Sequence, residues 1–293
     1  MFPLRLIGSI VAALLLGALV LHLIPRLGGG GKKLASAMCQ APLLDVVVTY
    51  FTILPMIGGI IAGGWHYGTW VGAIFGFVYG VMAQVLSVFL WQFAHEAVNV
   101  KHIRGPRIVK VLNKAVGRWR NHTAVWITAL AVPVFWFVRI AELVVYPPLT
   151  KIVGLPPYKH ADWVNVSRQK FKGLVGHDLI WCLYCDWMTG VWSLGSEMLR
   201  NVESFWCPIR FSSEKKCKNC AIDFPDVFGG WVPADQGMQE VADVLAEKYP
   251  PGAWKDKPYS SWFGHPARLT INGQPHFFEE QASVPEASEP PAQ

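Results

Sequence analysis

Thr69 to Phe93 reads TWVGAIFGFVYGVMAQVLSVFLWQF and contains no charged residue. Its only strongly polar members are Thr69, Gln84, Ser87 and Gln92. A helix rises 1.5 Å per residue, so a run this long covers the ~30 Å of hydrocarbon in a bilayer. Pro42 to Gly64 is a second apolar run, separated from the first only by Trp65-His66-Tyr67-Gly68. So short a link makes the two an antiparallel helical hairpin. Gly72, Gly76 and Gly80 recur every fourth residue, a spacing that lets helices approach closely in lipid.

The rest of the N-terminal half agrees. Leu6 to Ile24 is a third apolar run, preceded by Arg5 and stopped at Pro25-Arg26. A cleaved signal peptide is the competing reading. Its small-x-small site, Ala35-Ser36-Ala37, lies well past the apolar stretch, whereas cleavage normally follows that stretch closely. An uncleaved anchor is therefore expected. Thr123 to Tyr146 is a fourth run, with Pro133 near its middle and Arg139 and Glu142 three apart, placed to pair on one helical face. Pro133 leaves two readings open, a simple crossing or a re-entrant hairpin covered by protein.

Composition supports this class. Hydrophobic residues make up 52% of the 293, charged residues 16%, and the mean hydropathy is +0.30. Soluble domains carry about 25% charged residues, so an ordinary soluble globule is not expected. The many aromatics (14 Trp, 16 Phe, 8 Tyr) exclude a disordered chain.

The net charge of +6 matters through its placement. Between His95 and His122 lie Lys101, Arg104, Arg107, Lys110, Lys114, Arg118 and Arg120, against Glu96 alone. From Ile108 onward Val111, Leu112, Ala115, Val116 and Trp119 mark one helix face. A basic interfacial helix over 104–122 is expected, with Arg104, Arg107, Lys110, Lys114 and Arg118 meeting anionic headgroups. The positive-inside rule puts this segment in the cytoplasm. Nucleic acid is not an expected partner, because lipid is the nearer anion. The whole reads as an integral protein of a bacterial inner membrane or an equivalent one.

Charge rises and the long runs stop after Pro147-Pro148, which divides the chain into a membrane domain (1–147), a Cys-rich domain (148–278) and an acidic, Pro-rich tail (279–293) expected to be disordered. Lys151, Lys159, Arg168, Lys170 and Lys172 favour the cytoplasmic side for the second domain. Leu174 to Leu199, around WCLYCDWMTG, reads as a helix. Asp178, Cys182, Cys185, Thr189, Ser193, Ser196, Arg200 and Glu203 recur at steps of three or four and form a polar seam, expected to be hidden within protein because unpaired polar groups are costly to bury. A short amphipathic helix is expected over Asp235 to Tyr249, and a strand and turn over Arg268 to Gln274.

The chemistry concentrates in cysteines. Cys182-x2-Cys185 and Cys217-x2-Cys220 are two chelating pairs, with Cys207 between them. Such pairs suit zinc, and Cys-Pro with C-x2-C also suits an iron–sulfur centre, although the full ferredoxin spacing is missing. The pairs are further apart than in a zinc ribbon. Disulfides are the alternative if the domain lies outside the cytoplasm. A second candidate metal set is His95, His102, His177 and Asp178, without the dense His clusters of membrane hydroxylases. Cys39 stands alone. No phosphate loop, dinucleotide fingerprint or nucleophile elbow occurs.

The fold expected is mostly α: three to four membrane segments, a basic interfacial helix and a small helical or irregular Cys-rich domain. Three functional classes follow. The first is a thiolate metal site serving binding, assembly or electron transfer among other membrane subunits. The second is a membrane enzyme working on a lipid-soluble substrate, with Asp178, Cys182 and Cys185 as acid/base or redox groups. The third is a scaffold subunit without a cofactor.

Overall fold

The computed structural model describes residues 1–216 and 231–249, and the backbone of 270–271 and 274–275. The described chain is mostly helical. Three helical segments are long and apolar enough to cross a membrane: Phe2–Arg26, Trp70–Val98 and Arg118–Ile152. A fourth is available if Leu43–Thr52 and Leu54–Tyr67, bent by 45° at their junction, act as one broken span. Two compact units divide the chain. The first comprises 1–138 and 159–194, the second 139–158 and 195–293.

In the first unit α1 (Phe2–Leu23), α3 (Leu43–Thr52), α4 (Leu54–Tyr67) and α5 (Trp70–Val98) form the apolar body. Gly68, at φ +64, ends α4 in the left-handed conformation that glycine adopts freely. Thr69 then caps α5, its Oγ1 accepting from the Gly72 amide at 3.1 Å. The expected hairpin is the result, and the expected glycine stripe is its seam. A methyl on Gly76 would strike the Gly59 carbonyl, and one on Gly63 the Gly72 carbonyl. The chain bends at Pro55 rather than at Pro133. The break between α3 and α4 frees carbonyls at Phe51 and Thr52, and Gln84 of α5 donates its amide to both, at 2.5 and 3.0 Å. Trp136 adds a bond to Thr52 Oγ1 at 3.0 Å.

The basic helix expected over 104–122 is divided. Gly105-Pro106 precede α7 (Ile108–Val116), and Gly117 at φ +88 ends it. Arg118 and Arg120 instead open α8 (Arg118–Ala129), the start of the third long segment. Pro133 lies in the first turn of α9 (Val132–Ile140), where no amide is needed, and the long helical segment runs from Arg118 to Ile152.

The seam helix, α12 (Gly176–Trp206), is longer than expected. Its inward face carries Trp187, Val191 and Leu194, all nearly or fully buried. Thr189 and Ser193 are exposed, so the seam is not hidden along that stretch. The polar residues α12 does bury are Asp178, Glu197, Arg200, Asn201 and Ser204.

In the second unit, the C-terminal turns of α12 join α10 (Tyr146–Ile152) and the short α13 (Met238–Lys248). Glu240 accepts from the Gly237 amide at the start of α13, which buries Val241, while Met238 stays exposed. Trp231 is buried against Val244 and Tyr249. Thr270–Ile271 pairs antiparallel with Gln274–Pro275, in keeping with the strand and turn expected there. Cys217, Cys220 and the tail from 279 to 293 lie outside the described residues.

Candidate functional site

Cys182 and Cys185 sit one turn apart on α12, both free thiols and partly buried. The charged side chain beside them is Arg168, whose guanidinium acts on both thiols electrostatically. Asp186 positions it. Its Oδ2 accepts from the backbone amides of Ser167 and Arg168 at 2.7 and 3.2 Å, and its Oδ1 lies 3.6 Å from Arg168 Nε. The loop is also pinned from behind: Val166 donates to the Cys39 carbonyl at 2.8 Å and Ala41 to the Val164 carbonyl at 3.0 Å. Gln169 reaches Cys39 Sγ at 3.0 Å. Burial pushes the Cys182 thiol up, against the pull of Arg168. Tyr184, beside Cys185, is pushed up to about 12 by burial, so its hydroxyl stays protonated and donates to the Thr128 carbonyl at 2.8 Å. Nothing in the spacing of the cysteines points to Arg168 or Asp186. Cys207 follows the end of α12 in the second unit and is exposed.

A charged cluster forms where α12 begins. Arg107 donates to Glu96 Oε1 at 2.7 Å, to Asp178 Oδ2 at 3.3 Å and to the Val175 carbonyl at 3.2 Å. Asp178 Oδ1 also accepts from the Val109 amide at 3.1 Å. The first amides of α12 point into the cluster, from Gly176 to His95 Nδ1 at 3.1 Å and from His177 to Glu96 Oε1 at 3.3 Å. The positive end of the helix dipole thus faces a carboxylate. Gly176, at φ +53, leaves the space that Glu96 occupies. Burial opposes ionisation of Asp178. The His177 and Arg107 contacts and the Val109 amide outweigh it and hold the carboxyl below its ordinary value. Burial likewise works against Arg107, and its two carboxylates keep its pKa raised.

The structure therefore brings together His95, His177 and Asp178 from the second candidate set. His102 lies instead against Gly173. Asp178 is engaged with Arg107 and the Val109 amide and His95 Nδ1 with the Gly176 amide, and among the described residues no three His, Cys, Asp or Glu side chains gather as a metal-ligand group. Beside the cluster is a cleft of about 300 Å³ bordered by Gln92, Glu96, Arg118, His122 and His177. Among the described residues His177 Nε2 has no hydrogen-bond partner.

The second unit carries its own buried polar set. Arg139 pairs with Glu142 at 2.6 Å, as the spacing of three suggests, and Arg200 pairs with Glu197. Tyr158 donates to Glu197 at 3.2 Å, Asn201 donates to the hydroxyls of Tyr146 and Tyr158, and Tyr146 donates to the Pro156 carbonyl. These bonds satisfy groups that would be costly to bury alone. Comparison with family models, curated proteins and solved structures gives no match for this chain.

Proposed function

We propose that the protein is an integral membrane protein whose working centre is the thiol face of α12, where Cys182 and Cys185 hold a thiophilic metal. Zinc is the first choice and an iron–sulfur cluster the second. The observation that carries the reading is the pair of free thiols one turn apart beneath the Arg168 guanidinium. Cβ atoms three apart on a helix stand about 5–6 Å from each other. A disulfide needs about 3.8 Å and would distort the helix. Two sulfurs on one metal at ~2.3 Å need only rotamer choice. Two thiolates fill half of a tetrahedral shell. Thiolates carry negative charge, and the Arg168 guanidinium beside them offsets it. The centre serves assembly or electron transfer with other membrane subunits, on the cytoplasmic side by the basic residues flanking the long helices.

Full-length protein purified in detergent is expected to carry metal in fixed stoichiometry, and Cys182→Ser/Cys185→Ser to lose it while keeping its helical circular dichroism. Metal-free wild type with its thiols paired overturns the proposal. The cleft bordered by His177 and His122 favours a second reading, an enzyme acting at the bilayer edge. Under it, His177→Gln removes turnover of a lipid-soluble substrate with metal content unchanged.

A further inference from the structure

The end of α6 (Val100–Arg104), the Gly105-Pro106 turn and the first turns of α7 border an open cleft of about 390 Å³ lined by Arg104, Gly105, Pro106, Arg107, Lys110, Val111 and Lys114. Four of these seven residues are cationic and none is acidic. Arg107 forms part of the wall, but its charge is matched by Glu96 and Asp178. Arg104, Lys110 and Lys114 pair with no carboxylate among the described residues. Lys110 is fixed rather than free, since its Nζ donates to the Ile103 carbonyl at 2.6 Å and the Gly105 carbonyl at 3.4 Å. That tether holds an ammonium over the cleft. The other side of α7 is apolar and uncovered: Ile108, Leu112 and Val116 are between 42% and 50% exposed. The cleft follows within a few residues of the end of α5, whose last apolar residues, Phe93 and Val98, are also exposed.

We propose that this cleft seats the phosphate of an anionic membrane phospholipid, with the apolar side of α7 resting on its acyl chains. Three uncompensated cations supply the charge complement of a phosphodiester, and the row of exposed aliphatic side chains beside them supplies the hydrocarbon contact. A free anion uses only the first of these features, while a lipid uses both. The inference rests on the membrane reading above and is independent of the metal.

The test uses full-length protein in vesicles of phosphatidylcholine containing a minor fraction of spin-labelled phosphatidylglycerol or spin-labelled phosphatidylcholine. Retention after alkaline extraction reads insertion separately, so a chain that washes off refutes the membrane reading on its own and, with it, a lipid-seated cleft. For the inserted chain, preference for the phosphatidylglycerol label is expected. Roughly a fivefold loss should follow for each cation neutralised in Arg104→Gln, Lys110→Gln and Lys114→Gln. Lys32→Gln/Lys33→Gln should leave the preference unchanged. Equal preference in the triple variant, or displacement of the label by millimolar inorganic phosphate, overturns the lipid seat, the second result marking a site for soluble anions.

Discussion

Arg107 answers for two carboxylates at once, and its removal is the most damaging single change near the start of α12. Arg107→Ala leaves Glu96 and Asp178 charged and half-enclosed, a loss of about 3–5 kcal/mol. Asp178→Asn costs less, because Glu96 still holds the guanidinium. The two are separated by chemical unfolding in detergent, with Arg107→Ala expected to have the lower midpoint. The pH dependence follows from the lowered pKa of Asp178. A carboxyl whose folded pKa is depressed stabilises the fold fully above its unfolded value of about 3.9, and that contribution disappears as pH falls through the folded value. Wild type should therefore lose stability below about pH 4, and Asp178→Asn should show a flatter profile in that range. The sequence reading found Asp178 but placed it among metal ligands or acids. Arg107, expected among the cations that meet anionic headgroups, is instead buried and paired with Glu96 and with Asp178, 71 residues away, a pairing made by tertiary packing that spacing does not show. Arg168 escaped for the same reason, while Cys182 and Cys185 were legible because their spacing alone sets them on one face.

At the scale of elements, the hairpin of α4 and α5 was readable almost entirely from local rules: apolar length, a short link, Gly68 and Thr69 at the turn, and glycines every fourth residue. Close approach at Gly76 and open space at Gly58 give opposite expectations for small substitutions. Gly76→Val should overpack the seam and cost about 1–3 kcal/mol. Gly58→Ala should be neutral or slightly stabilising. Thermal denaturation of the two variants side by side checks this. Gln84→Leu tests the break between α3 and α4, since it orphans the Phe51 and Thr52 carbonyls, at about 1–3 kcal/mol. The position of that break was not legible. Proline marks where a bend is tolerated, but whether it bends depends on a donor such as Gln84 from a neighbouring helix. Pro133 holds the same first-turn position in α9, yet the segment from Arg118 to Ile152 runs on as one long helix. The expected polar seam of α12 is buried at Asp178 and Arg200 but exposed at Thr189 and Ser193, because periodicity identifies a face without saying what covers it. Trp187, Val191 and Leu194 carry more apolar surface than any opposite stripe and took the inside.

For the whole molecule, the helices long enough to cross a membrane are where the apolar runs put them, whereas the compact units do not follow the boundary expected after Pro147, since 159–194, with Cys182 and Cys185, groups with 1–138. The most direct measurement is X-ray absorption at the zinc and iron edges of the full-length protein purified without chelator. A shell of sulfur scatterers at ~2.3 Å, lost in Cys182→Ser/Cys185→Ser, is the expected result. A first shell of oxygen or nitrogen alone, or no bound metal at either edge, would contradict the account.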